Sequence, residues 1–192
     1  MSDKVLDRRS QILEASINIF SKEGFHNARM EDIALSAGVG KGTIYEYFRS
    51  KKELFKEMML YAANMYITEA ENHMLRLKSP KDKLIEFMRF NIEFLKENSG
   101  IVKVVLSQPN EINGDLMNSF MRMREQVESK LSSIIGDGIA EGVFRRIKPN
   151  LAAAVLMAII SRTAAAAIYK CTSYNYDPYE MLDIFFNGLC AD

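Results

Sequence analysis

Apolar residues along this chain recur at intervals of three and four over long stretches, the period of an α-helix. Short β-branched runs joined by two-residue turns are almost absent. Gly and Pro mark the breaks: Gly24, then Gly38, Gly40 and Gly42, then Pro80, Gly100, Pro109, Gly114, the Gly136–Gly142 region, Pro149 and Pro178. The pattern predicts an all-α protein of about nine helices, the first three short and the later ones long.

The first block is the most informative. Ile12, Ala15, Ile17 and Phe20 form an apolar stripe on a helix from about Asp7 to Lys22, closed by Gly24. Met30, Ile33, Ala34 and Ala37 do the same for a second short helix, with Asn27 as its expected cap. Gly38 permits a sharp reversal, and Val39 can plug the corner it makes. A third helix follows from about Lys41 to Phe48, with Ile44 and Phe48 as its inward face. Ser50-Lys51-Lys52-Glu53 then reads as a capping box that opens a fourth helix.

Two short helices joined by a glycine turn describe a helix-turn-helix, whose second helix enters the DNA major groove. With Ile44 and Phe48 turned inward, the outward face is Lys41, Gly42, Thr43, Tyr45, Glu46 and Tyr47. Lys41 offers a cation to phosphate, and Gly42 lets backbone come close. Thr43 can meet a base edge or thymine methyl, and the tyrosines can hydrogen-bond phosphates while packing on sugars. The competing reading has Tyr45 and Tyr47 packed against helix one. Glu46 stays open between accepting from a cytosine amino group and being held off the phosphates by a lysine.

The ordered run from Phe25 to Leu54 resembles the DNA-binding domain of the TetR (tetracycline-repressor) family. Asp32-Ile33-Ala34, Ala37-Gly38-Val39, Lys41-Gly42-Thr43-Ile44-Tyr45 and Tyr47-Phe48 all stand at that family's spacing. The close match spans roughly Arg9 to Phe55. It implies that Thr43 faces the bases and that Tyr45, Tyr47 and Lys51 touch phosphates. Arg29 stands where many relatives have Thr, so its phosphate contact would be ionic. The resemblance further implies a helix-turn-helix domain over residues 1–50. A larger helical effector-binding and dimerisation domain would follow over 51–192, with the last two helices as the dimer interface. Two heads about one DNA turn (~34–36 Å) apart can then read a palindromic operator in double-stranded DNA.

Composition adds less. Hydrophobic residues make up 48% of the 192, which suits a packed globular chain. Net charge is zero; nine Lys or Arg face seven Asp or Glu through Lys52, too slight a surplus to indicate DNA by itself. Met1–Ser10 has no apolar core for a secretory signal, and Cys171 and Cys190 read as free thiols, so a cytoplasmic protein is expected. Leu151–Tyr169 is apolar but Ala-rich and interrupted by Arg162, which predicts a buried helix rather than a membrane span. With two isolated histidines and no nucleophile–base pair, metal cluster or phosphate loop, neither an enzyme nor a cofactor nor a metal site is expected.

In the helical body, Leu54, Met58, Tyr61 and Met65 follow one side of the fourth helix. The fifth, about Lys81 to Glu97, is apolar around most of its circumference. Asn91 falls inside that apolar face, and Arg124 falls beside Phe120, Met121 and Val127 on a later helix. Buried polar groups need partners. Asn91 either bonds a loop carbonyl or lines a pocket; Arg124 either pairs with Glu128 or anchors a ligand. On the pocket reading Tyr61, Met65, Phe87, Asn91, Phe94, Phe120, Met121 and Arg124 bind a small apolar or amphipathic effector that releases a dimeric repressor from DNA. The alternative is a DNA-binding regulator with a filled core, controlled by a protein partner.

Overall fold

A computed structural model describes residues 7–98, 100, 114–169 and 178–188, with only the backbone described for 163–169, 178 and 179. Eight helices are found among these residues, against about nine expected, and no strand. They are α1 (Arg8–Asn27), α2 (Met30–Ser36), α3 (Lys41–Tyr47), α4 (Lys51–Leu75), α5 (Pro80–Glu97), α6 (Gly114–Ala140), α7 (Pro149–Tyr169) and α8 (Pro178–Asn187). The chain divides into two compact units, residues 1–65 with 100–120, and 66–99 with 121–192. This division differs from a cut after residue 50, because the first half of α4 goes with the three helices before it.

In the first unit, Asp7 opens α1 by accepting the Ser10 N–H at 2.8 Å. The helix breaks where the pattern places its end, at Gly24 (φ 76°), and three more helical residues follow. Helix α2 packs on α1 and α3 on α2. The expected Asn27 cap is absent: Asn27 Nδ2 donates back to the Glu23 carbonyl, and Arg29 occupies the N-cap position without a side-chain bond. Gly38 takes φ 66° at the reversal, and Val39 packs into the corner, partly buried.

The core of this unit joins Ile12, Leu13 and Phe20 of α1, Ile33 of α2, and Ile44 with Phe48, all nearly inaccessible. Four α4 residues complete it: Leu54, Phe55, Met58 and Met59. Phe55 stands edge-on to both Phe20 and Phe25, with ring centroids 5.2 and 5.0 Å away, a favoured aromatic geometry. The Ser50 half of the box forms, Ser50 Oγ accepting the Glu53 N–H at 3.1 Å, but the Glu53 carboxylate accepts the Arg49 N–H at 2.8 Å, one residue before the N-cap N–H that a closed capping box uses.

The second unit is built on α5, which Ser79 caps and Pro80 starts. Leu84, Phe87 and Met88 pack with Leu131, Ile134 and Ile135 of α6 and with Ala153 and Leu156 of α7. Helix α5 lies against α7, and α7 against α8. Glu86 accepts both Nε and Nη2 of Arg89 and lies 2.7 Å from His73 Nδ1, tying the end of α4 to α5. No helix among the described residues is long and apolar enough to cross a membrane.

Gly38 offers a clean test of the reversal. Nothing lies within 4 Å of the position its Cβ would take, so a side chain there meets conformational strain and no clash. Gly38→Ala should cost about 1–2 kcal/mol in urea unfolding, and Gly38→Asn distinctly less, because Asn tolerates the left-handed region. Equal losses would contradict the conformational explanation.

Candidate functional site

Helix α3 presents its two faces as the sequence predicts. Ile44 is 0% and Phe48 1% exposed, while Lys41, Gly42, Glu46 and the two tyrosines lie outward and Thr43 is half-buried. Tyr45 and Tyr47 are 43% and 41% exposed, so neither is a core residue packed against α1. Gly42 has an ordinary helical φ and open space around its missing Cβ. A glycine inside a helix costs about 1 kcal/mol relative to alanine. Neither backbone conformation nor packing in this unit requires a glycine there. Arg29 stands exposed at the start of α2.

Two lysines have partners that the sequence did not reveal. Lys41 Nζ is 2.7 Å from Glu31 Oε1, an exposed pair joining α2 to α3. That hydrogen bond holds the Glu31 carboxyl below and the Lys41 ammonium above their ordinary values. Lys51, the first residue of α4, donates to the His26 and Ala28 carbonyls, each at 2.9 Å, and its ammonium stands 4.8 Å from the Phe25 ring centroid. A cation on the last carbonyls of α1 meets the negative end of that helix. Lys51 therefore braces α4 against the α1–α2 corner, and a phosphate could reach it only alongside these bonds. Both carbonyls lie at the end of α1, where helix carbonyls lack intrahelical partners.

The residues expected to line an effector pocket fall into separate surroundings. In the first unit, Tyr61 and Phe120 pack on the core just described, and Tyr61 donates to Glu14 at 3.1 Å. Met65 is 37% exposed. In the second unit Phe87 is fully buried and Phe94 partly buried beside Asn91, which is 3% exposed. Asn91 finds its partners internally: Nδ2 donates to the Phe87 carbonyl, and Oδ1 accepts the Tyr66 hydroxyl, both at 2.6 Å. The bonded carbonyl lies one turn back on α5 and not in a loop. Burial pushes the Tyr66 hydroxyl up to about 12. Tyr66 was missed at the sequence level, although a buried Asn needs a partner and a nearby Tyr is well suited to supply one.

Arg124 requires a correction. It is exposed, as is Met121 at 52%, and it forms no ion pair with Glu128. The buried hydrophobic side chains of α6 are Leu116, Val127, Leu131, Ile134 and Ile135. Continuing that face one turn before Val127 leads to Met123, which is half-buried, and leaves Arg124 on the flank.

The second unit also carries an apolar groove of about 680 Å³ between the 143–148 loop, α7 and α8. Leu151, Val155 and Ile184 stand at its surface, 62%, 46% and 49% exposed, with Leu84 and Ile135 deeper. Phe185 and Phe186 of α8 are partly buried against the core, and Leu189 lies outside the described residues.

Residues 12–58 match the family described as bacterial regulatory proteins, tetR family, and residues 77–165 match a tetracyclin repressor-like C-terminal domain. The HTH-type transcriptional regulator YhgD of Bacillus subtilis is 28% identical over 152 residues, 79% of this chain and 80% of that protein. The fold is shared with the transcriptional regulator FadR of Bacillus subtilis in complex with stearoyl-CoA (TM-score 0.77, 21% identity), covering 94% of this chain and 99% of that one. It is also shared with AibR in complex with isovaleryl coenzyme A and operator DNA (TM-score 0.68, 17% identity), over 95% and 98%.

The brace at Lys51 has a measurable consequence. Lys51→Met keeps the stem but removes two charge-assisted bonds and the contact with Phe25, and it should lower unfolding stability by about 1–3 kcal/mol. A denaturant midpoint unchanged from wild type would show that the brace contributes nothing.

Proposed function

The chain belongs to the tetR family of bacterial regulatory proteins, transcriptional regulators rather than enzymes, and we propose that it is a dimeric repressor released from a palindromic operator by an acyl-coenzyme A effector. The observation that carries the DNA half of this reading is the bare outer face of α3, where Gly42, Thr43, Tyr45 and Tyr47 stand clear of a core filled by Ile44 and Phe48. Thr43 meets the bases, and the tyrosines and Arg29 grip the backbone on either side. Lys41 and Lys51 add positive charge nearby while keeping their intramolecular partners. Such a regulator acts in the cytoplasm, where its DNA is.

Dimerisation is supported by the stripe of Leu151, Val155 and Ile184. Three large apolar side chains on one groove of a helical pair leave a face that a second copy, using the same face about a two-fold axis, would cover. The effector class draws on the relatives crystallised with stearoyl-CoA and isovaleryl coenzyme A. An amphipathic acyl thioester suits a body rich in Phe and Met, and it releases DNA only by favouring a conformation that binds operator poorly. A second reading, control by a protein partner, draws on Asn91, whose amide is already bonded on both sides without a ligand.

Two measurements test these proposals. Leu151→Glu places a charge on the exposed stripe without entering the core, so sedimentation should report a folded monomer where wild type is a dimer at micromolar concentration. A monomeric wild type would defeat the interface and the palindrome together. Stearoyl-CoA and isovaleryl-CoA, titrated into the operator complex, should release DNA with at least one chain length. No release by either at 100 micromolar would point to the protein-partner reading and leave DNA binding intact.

A further inference from the structure

We propose that Glu46 is a specificity-determining residue that reads a cytosine in each half-site; this rests on α3 being the recognition helix. Glu46 is exposed, one turn beyond Gly42 and Thr43 and between the two exposed tyrosines. Duplex DNA carries one negative charge per ~1.7 Å of axis, so a carboxylate on this face is repelled unless something answers it.

Nothing among the described residues does so. The two nearest-placed lysines in the sequence are committed elsewhere, Lys41 to Glu31 at 2.7 Å and Lys51 to the His26 and Ala28 carbonyls. Glu46 makes no ion pair or side-chain hydrogen bond with any described residue. Arg49, three residues on, and Lys52 are exposed and neither pairs with Glu46, so no cation among the described residues holds its carboxylate off the phosphates. Helix stability offers no reason for it either: Glu46 is the last residue but one of α3, where the exposed carbonyl end of the helix disfavours an acid.

A carboxylate can only accept hydrogen bonds, and phosphates have none to give. In the major groove the donors are the amino groups of cytosine N4 and adenine N6. Adenine places its N7 lone pair beside N6, where it opposes the second carboxylate oxygen. Cytosine places a C–H there. The acceptor-only chemistry of Glu46 thus selects cytosine, and an amide, which carries a donor for N7, would select adenine.

The experiment is selection of binding sites from randomised duplexes by the full-length wild type, Glu46→Ala, Glu46→Gln and Thr43→Ala, each first checked for a wild-type melting profile. Wild type should select a C·G pair at one position of each half-site. Glu46→Ala should lose about tenfold or more of that preference at that position alone, and Glu46→Gln should move it towards adenine. If Glu46→Ala keeps every base preference and merely binds all duplexes more tightly, the carboxylate only repels backbone and the proposal is overturned. If Thr43→Ala and Glu46→Ala both leave the whole selected site unchanged, α3 is not the reading element, and the premise fails along with it.

Discussion

The three helices that precede α4 cannot bury their own apolar faces. Chains of about fifty residues are marginal as independent folding units because so much of their surface stays wet. Here the shortfall is met by α4, which puts Leu54, Phe55, Met58 and Met59 under α1 and α3. The dependence organises the whole first unit. Since α4 supplies part of the core, its start must be fixed against the earlier helices, and several polar contacts do this. Lys51 holds the end of α1, Arg9 meets Glu57 at 2.7 Å, and Tyr61 donates to Glu14. The ion pair of Arg9 and Glu57 is exposed and contributes little by itself. The apolar contacts and the Lys51 bonds carry most of the fixation. The α3 face proposed to read DNA, held this firmly on the first half of α4, is oriented by whatever moves that half.

The second unit depends on a different economy. Among the described residues its core is apolar except at Asn91, and Asn91 is satisfied by a carbonyl of its own helix and by Tyr66. Stranding either partner would leave a buried polar group without a bond, which costs more than the bond itself contributes. That pair therefore fixes how the later part of α4 meets α5 in one register. Its saturation also means that a ligand entering beside it must either leave it intact or replace both bonds.

What could be read from sequence follows the range of the interaction. The inward pair Ile44 and Phe48, the break at Gly24, the reversal at Gly38 and the cap at Ser50 are set within a few residues, and all were legible. Long helices were less so. Along α6 the true buried face runs through Val127 and Met123, and a stripe taken one residue to the side drew in Arg124. On α4 the buried set lies at Leu54, Phe55, Met58, Met59 and Ala62 and resumes at Ala70 and Met74, which leaves Met65 exposed. Among the DNA-face residues, the positions were legible but the partners were not. Neither Glu31 for Lys41 nor two main-chain carbonyls for Lys51 can be deduced from spacing, because each joins helices whose relative placement the core decides.

The pairing of Lys41 with Glu31 alters how this protein exchanges ions. A bare lysine that meets a phosphate sets free a condensed cation from the DNA and gains affinity from that ion's dilution into bulk. Lys41 arrives with an anion of its own. If a phosphate takes Lys41, it takes it from Glu31, and the freed carboxylate must recruit a cation from solution to replace the one it lost. The net release at this site is close to zero. The face would then hold DNA with less dependence on ionic strength than its count of lysines and arginines implies, trading electrostatic grip for a recognition helix already fixed in place before the operator is met.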